Sequence, residues 1–198
     1  MKSIVIAVFF LVLSSEFFAA QTTGLWQSHS PRQEISPKFQ HADGILEIDA
    51  GGRSGATGHW QAVFTVKGGR HYRFIAQRRI SNIENPIRHV VERLIWLDAK
   101  GSKVVRDEPA YSSYRPGTAP RAEPEFPRPS ATSKDGWEEV NDIFRAPKAA
   151  TQVKVELSLR WETDGRVQWR DVSLLPTTAP KPRIVRLATI HYQPRAGK

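Results

Sequence analysis

The sequence predicts an all-β protein, an antiparallel β-sandwich. Three observations carry that expectation. Short runs of alternating apolar and polar residues recur from Gly24 to Leu175, turn residues punctuate them, and no window sustains a helical period. Many short strands closed by tight turns are the pattern of two sheets packed on one core.

The elements follow in order. Ile45-Leu-Glu-Ile48 ends at Gly51-Gly52. Gly58 to Val66 ends at Gly68-Gly69, and Tyr72-Arg-Phe-Ile-Ala76 follows at once. A glycine pair between two such runs predicts a hairpin, because tight hairpin turns need positive φ. Tyr72, Phe74 and Ala76 share one face of the second run; Arg73 and Gln77 share the other, with Ile75 as an exception. Val90 to Leu97 is a fuller apolar strand closed by the turn Asp98-Ala-Lys-Gly101.

Val153 to Trp161 alternates strictly, with Val153, Val155, Leu157, Leu159 and Trp161 on its apolar face. That predicts a half-buried antiparallel strand whose Trp161 fills the core. Asp164-Gly165 turns the chain, and Val167 to Leu175 is expected to return as the hairpin partner. Arg106 to Gly136 breaks the short-loop pattern, with several prolines and little apolar order; a loop of that length in a compact domain is functional or disordered.

The two ends read differently. Residues 1–20 have the form of a secretory signal: Lys2, an apolar run from Ile4 to Leu13, and Ala19-Ala20 before Gln21. Phe18 stands where a small residue is preferred, so retention as an anchor stays open beside cleavage and export. Residues 21–176 are the sandwich, and residues 177–198 continue the proline-rich linker that opens at Pro176. Ile184 to Tyr192 is strand-like and reads as the opening of a further domain, because a lone terminal strand leaves backbone groups unpaired.

Composition removes several function classes. The chain has no cysteine, so an exported form has no disulfides, no acylated cysteine, no thiol nucleophile and no thiolate ligand. The fold must rest on its hydrophobic core. The net charge is +9, but the basic residues are scattered and often stand beside acids, as in Arg106-Asp107-Glu108. The pattern favours a basic soluble surface over specific nucleic-acid binding, and no membrane contact is expected beyond the N-terminal segment.

Catalytic patterns are missing as well. The six histidines show no i, i+2 or i, i+4 pair, which argues against a transition-metal site. Glu138-Glu139, Asp107-Glu108 and Glu123/Glu125 are near neighbours in sequence, whereas glycosidic cleavage needs carboxyls facing each other across roughly 5 to 10 Å. No Gly-x-Ser-x-Gly elbow occurs, and Gly51-Gly52-Arg-Ser-Gly55 precedes no helix. The aromatics remain. Most tryptophans are expected in the core, but Tyr111, Tyr114 and Phe126 lie in the long loop, where no core periodicity claims them. Arg115 and Arg121 stand nearby to hydrogen-bond a polar ligand, which makes these five residues the candidate binding site.

Three segments, Gly68-Gly-Arg-His-Tyr-Arg-Phe74, Gly136-Trp-Glu-Glu-Val140 through Phe144-Arg-Ala-Pro147, and Trp169-Arg-Asp-Val-Ser-Leu174, together resemble a carbohydrate-binding module of the galactose-binding-like jelly-roll type. The resemblance covers most of Gly24 to Leu175 and implies the fold more than the ligand. In such modules the last-strand aspartate often helps to hold structural calcium; Asp171 stands there, and no other cofactor is implied. Val185-Arg-Leu-Ala-Thr-Ile-His-Tyr-Gln-Pro194 resembles the first strand of a nitrilase-like carbon–nitrogen hydrolase domain, a family that works through a Glu–Lys–Cys triad. None of that triad is assignable here.

The expectation is therefore an exported, non-catalytic carbohydrate-binding-like module. Its partners would be a glycan or wall polymer and a carbon–nitrogen hydrolase domain in cis. The alternatives are a stand-alone structural or adhesion sandwich and, less favoured, a jelly roll acting on polysaccharide.

Overall fold

The computed structural model describes residues 26–108, 119–132, 135–182 and 184–189. Alternation in the sequence becomes two antiparallel sheets. One has the order β1 (Gln27–His29), β4 (Ala56–Thr65), β9 (Gln152–Glu162) and β6 (Val90–Leu97). The other runs β2 (Lys38–Ala42), β3 (Ile45–Asp49), β10 (Arg166–Thr177), β5 (His71–Ser81), β8 (Glu138–Arg145) and β7 (Pro129–Thr132). Strand numbers follow the chain. A single helical turn, α1 (Pro86–His89), leads into β6.

The expected sandwich is the observed one. Inward residues of both sheets form one core in which Trp96, Trp169, Phe74 and Leu157 are buried. One polar group crosses it. Arg78 on β5 donates from Nη1 to both Glu92 oxygens on β6, at 3.2 and 2.9 Å, and from Nε to Glu138 at 2.7 Å. Trp169 Nε1 on β10 donates to the same Glu92 at 2.8 Å. Charges this deeply buried persist only where each has its partners, so the network ties the sheets in one register.

Both predicted hairpins are corrected. β4 pairs with β1 and β9, β5 with β10 and β8, and β10 with β3 and β5. The turns at Gly68-Gly69 and Asp164-Gly165 therefore carry the chain from one sheet to the other. A hairpin and a sheet-to-sheet corner need the same tight backbone, so turn chemistry alone does not separate them. At Gly68 the requirement is space: a Cβ there would lie 2.1 Å from the Lys148 carbonyl oxygen.

Trp161 is the second correction: it is 67% exposed. Between the pairs Ala56↔Glu162 and Gly58↔Leu159 the register slips, giving β9 one residue more than β4. Trp161 takes φ 55° there, and its N–H donates to Thr57 Oγ1 at 3.0 Å. One extra residue reverses the parity of a strand, so an apolar side chain due inward points out. A similar bulge between Arg170 and Ser173 in β10 places Asp171 at φ 53°.

The long loop is less free than expected. Residues 119–132 are bridged to the preceding chain at Leu94↔Glu125 and Val105↔Arg121 and include β7. The described part of the C-terminal segment, residues 184–189, contains no strand, and Ile184 and Leu187 are almost fully exposed; the strand expected from Ile184 is not formed there. Residues 1–20, and Tyr111, Tyr114 and Arg115, lie outside the described residues.

Candidate functional site

The parity change at Trp161 builds a groove at one end of the sandwich. Trp161, Glu162, Thr163 and Asp164 form one bank; Asn82, Glu84, Asn85 and His89, from the connection between β5 and β6, form the other. The groove encloses about 360 Å³. The chain beside the groove is close-packed: a Cβ on Gly165 would approach Ile83 Cγ1 to 2.6 Å.

Two of its residues hold uncommon backbone conformations. Asn82 has φ 56° and Trp161 φ 55°. Asparagine tolerates the left-handed region, but a bulky indole there is unusual, and such conformations concentrate at binding and switch sites. Among the described residues no aromatic ring or cation stacks on Trp161. Trp137 contrasts with it: only 4% exposed, it lies under the guanidinium groups of Arg170, at 4.1 Å, and Arg79, at 4.8 Å.

His89 fixes the groove wall. Its Nδ1 lies 2.8 Å from the Arg160 carbonyl oxygen and 3.1 Å from Glu162 Oε1. Both neighbours are acceptors, so Nδ1 carries the proton. Among the described residues the lining includes three carboxylates, Glu84, Glu162 and Asp164, and no lysine or arginine, on a chain of net charge +9. Neither Glu84 nor Asp164 has a cationic partner among the described residues. The arrangement offers an apolar aromatic face beside amides and carboxylates. That set accepts hydroxyl protons and repels anions.

Of the residues expected from sequence, Arg121 and Phe126 are described and lie away from the groove: Arg121 is bridged to Val105, and Phe126 follows Glu125, which is bridged to Leu94 of β6. Arg121 is exposed, its Nη1 donating to the Lys103 carbonyl at 2.8 Å, and Phe126 is 54% exposed. They flank a second cavity lined by Trp96 and Glu125. Asp171 is exposed, with a carboxylate oxygen 3.6 Å from Arg170 Nε. Among the described residues no group of three or more His, Cys, Asp or Glu is arranged to hold a metal ion. Asn82, Glu84, His89 and Asp164 were absent from the sequence-based set; only the turn signals around them mark the place.

No family model matches the chain, and no curated protein matches it. Solved structures do resemble it at low identity. The enzymatically active domain of tailspike protein 4 from bacteriophage CBA120 is 10% identical, with a TM-score of 0.49, over 80% of this chain and 19% of that one. The family 22 carbohydrate-binding and glycoside hydrolase modules of a Clostridium thermocellum endo-1,4-β-D-xylanase, complexed with xylohexaose, are 12% identical. Their TM-score is 0.45, over 87% of this chain and 29% of that one. The N-terminal cellulose-binding domain of Cellulomonas fimi β-1,4-glucanase C is 14% identical, with a TM-score of 0.43, over 78% and 90% of the two chains.

Proposed function

We propose that this β-sandwich is a glycan-binding module and that the Trp161 groove is where the glycan docks. The observation that carries the reading is the exposed indole, held outward by a bulge and flanked by the amides of Asn82 and Asn85 and the carboxylates of Glu84 and Asp164. A sugar ring presents C–H groups on its face and hydroxyls at its rim, and the groove offers an aromatic face with Asn82, Asn85, Glu84 and Asp164 around it. With three carboxylates and, among the described residues, no lysine or arginine, the groove suits glycans without acidic groups; uronates and sulfated chains would be repelled.

The module acts by adhesion. The segment from Val185 to Pro194, with its likeness to the first strand of a carbon–nitrogen hydrolase domain, supports a role in holding such an enzyme, in cis, to a polymer outside the cytoplasm. The signal-like residues 1–20 support export. No helix among the described residues is long and apolar enough to cross a membrane.

Affinity electrophoresis of the protein in gels containing soluble xylan or cellulose derivatives tests the reading. The wild-type protein is expected to be retarded and Trp161→Ala to migrate freely with its thermal unfolding unchanged. Equal retardation of the two would remove the groove from the account.

A further inference from the structure

At the other end of β6, about 20 Å along the strand from His89, lies a cavity that the groove does not explain. Trp96, Glu125, Glu108, Glu123, Pro124 and Pro147 contribute to its lining, and it encloses about 270 Å³. A single water occupies about 30 Å³ of liquid, so the space is far larger than one solvent molecule needs.

Two groups in it stand out, an indole N–H and a carboxyl. Trp96 is 2% exposed, yet among the described residues its Nε1 meets no acceptor at close hydrogen-bond distance and angle. A buried donor in that state is costly and marks a place where a partner belongs. Beside it the Glu125 carboxyl is pushed above the usual carboxylate range, first by burial and further by Asp142, Glu108 and Glu123. The Trp96 N–H, facing that carboxyl as a long hydrogen-bond donor, works against the shift. The main chain of Glu125 is held against β6. Its backbone N–H donates to the Leu94 carbonyl and its carbonyl accepts from the Leu94 N–H, both at 2.9 Å.

We infer that this cavity is a second saccharide site, and that it takes an uncharged, hydroxyl-bearing sugar unit bridging Trp96 Nε1 and the Glu125 carboxylate. The inference rests on the glycan-binding reading. The choice of ligand follows by elimination. An ammonium group would suit the carboxylates but has no lone pair for the indole N–H. A carboxylate or phosphate would accept from the N–H but would meet acids that outnumber the arginines of the lining. A hydroxyl accepts from one and donates to the other. Pro124 and Pro147 add apolar surface for the C–H face of a ring. Two sites at opposite ends of one sandwich let a single polymer engage the module twice, which raises avidity without any new contact.

The six indole N–H signals in ¹H–¹⁵N correlation spectra of the full chain, assigned by Trp→Phe variants, report the two sites separately. Xylohexaose and cellohexaose are the probes. The expected result is that one of them shifts the Trp96 and Trp161 signals, each to saturation. Glu125→Gln should weaken the Trp96 response by roughly tenfold while leaving the Trp161 response unchanged, since a hydrogen bond to a charged group is exchanged for a neutral one. The remaining dispersed signals show that the variant is folded. A moving Trp161 signal beside a stationary Trp96 signal would mean that the cavity holds water only: the second site is overturned and the groove reading stands. Trp96 moving alone would keep the cavity and remove the groove. If neither moves, both fall.

Discussion

Trp161 and Trp169 stand on consecutive strands, β9 and β10, on either side of one tight turn, yet they have opposite fates. Trp169 is fully buried, with its indole N–H bonded to Glu92 across the sandwich. Trp161 is 67% exposed, and nothing stacks on it among the described residues. Both belong to strands whose apolar residues alternate. What separates them is one inserted residue in β9, which reverses the facing of the side chain at its far end. An aromatic residue thus becomes core or platform through its backbone, with no change in its own chemistry.

The largest expected effect tests the buried half of that comparison. Trp169→Ala removes a large core side chain and strips Glu92 of a donor, and should cost about 3–5 kcal/mol, read as a lower midpoint in urea unfolding. A loss under about 1 kcal/mol would mean that the core repacks around the gap and that the indole is not the fixed point described above. Next comes Thr57→Val. It deletes the acceptor of the Trp161 N–H while keeping the shape of the side chain. The expected cost is roughly 0.5–1.5 kcal/mol, together with weaker retardation in a xylan or cellulose gel. Unchanged retardation would show that the bulge holds its geometry without that bond.

The exposed half is probed more finely by comparing Trp161→Gly with Trp161→Ala. Glycine enters the left-handed region freely and alanine does not, so the glycine variant should be the more stable, by at most about 1 kcal/mol. The reverse order in thermal unfolding would argue against a left-handed residue at this position in solution.

The last effect concerns the outer face of β9. Burial works against ionisation of Glu156, but hydrogen bonds from Lys154 and Arg93 outweigh it and hold the carboxyl below its ordinary value of 4.5. A depressed carboxyl stabilises the fold while ionised. Its contribution is complete above the unfolded value and is lost as pH falls through the lower folded one. Unfolding midpoints between pH 6 and pH 3 should therefore fall less steeply in Glu156→Gln than in the wild-type protein. Parallel curves would show that the ion cluster contributes nothing to acid stability.

How much of this was legible in advance can be followed strand by strand. Val90 to Leu97 is β6 to the residue, and Val153–Trp161 and Val167–Leu175 lie within β9 and β10. These runs were readable because a half-buried strand writes its two faces into alternate positions. The Arg78–Glu92–Trp169 network was not, because arginine and glutamate inside a strand look like surface residues until their partners, distant in sequence, are brought opposite them. The groove was hidden for two reasons. Alternation counted Trp161 as core, and Asp164-Gly165 looked like an ordinary hairpin turn. The second cavity was approached through Arg121 and Phe126, but its central groups, Trp96 and Glu125, carry no local mark.

By itself the sequence determined the class of fold, the place of most strands and the absence of thiol chemistry, because these follow from periodicity and composition, which are local. Only the tertiary structure decided which sheet each strand joins, which tryptophan faces water and which polar groups meet. Those outcomes depend on pairing register. A register is settled by contacts between segments far apart in the chain, and a single extra residue in one strand is enough to invert it.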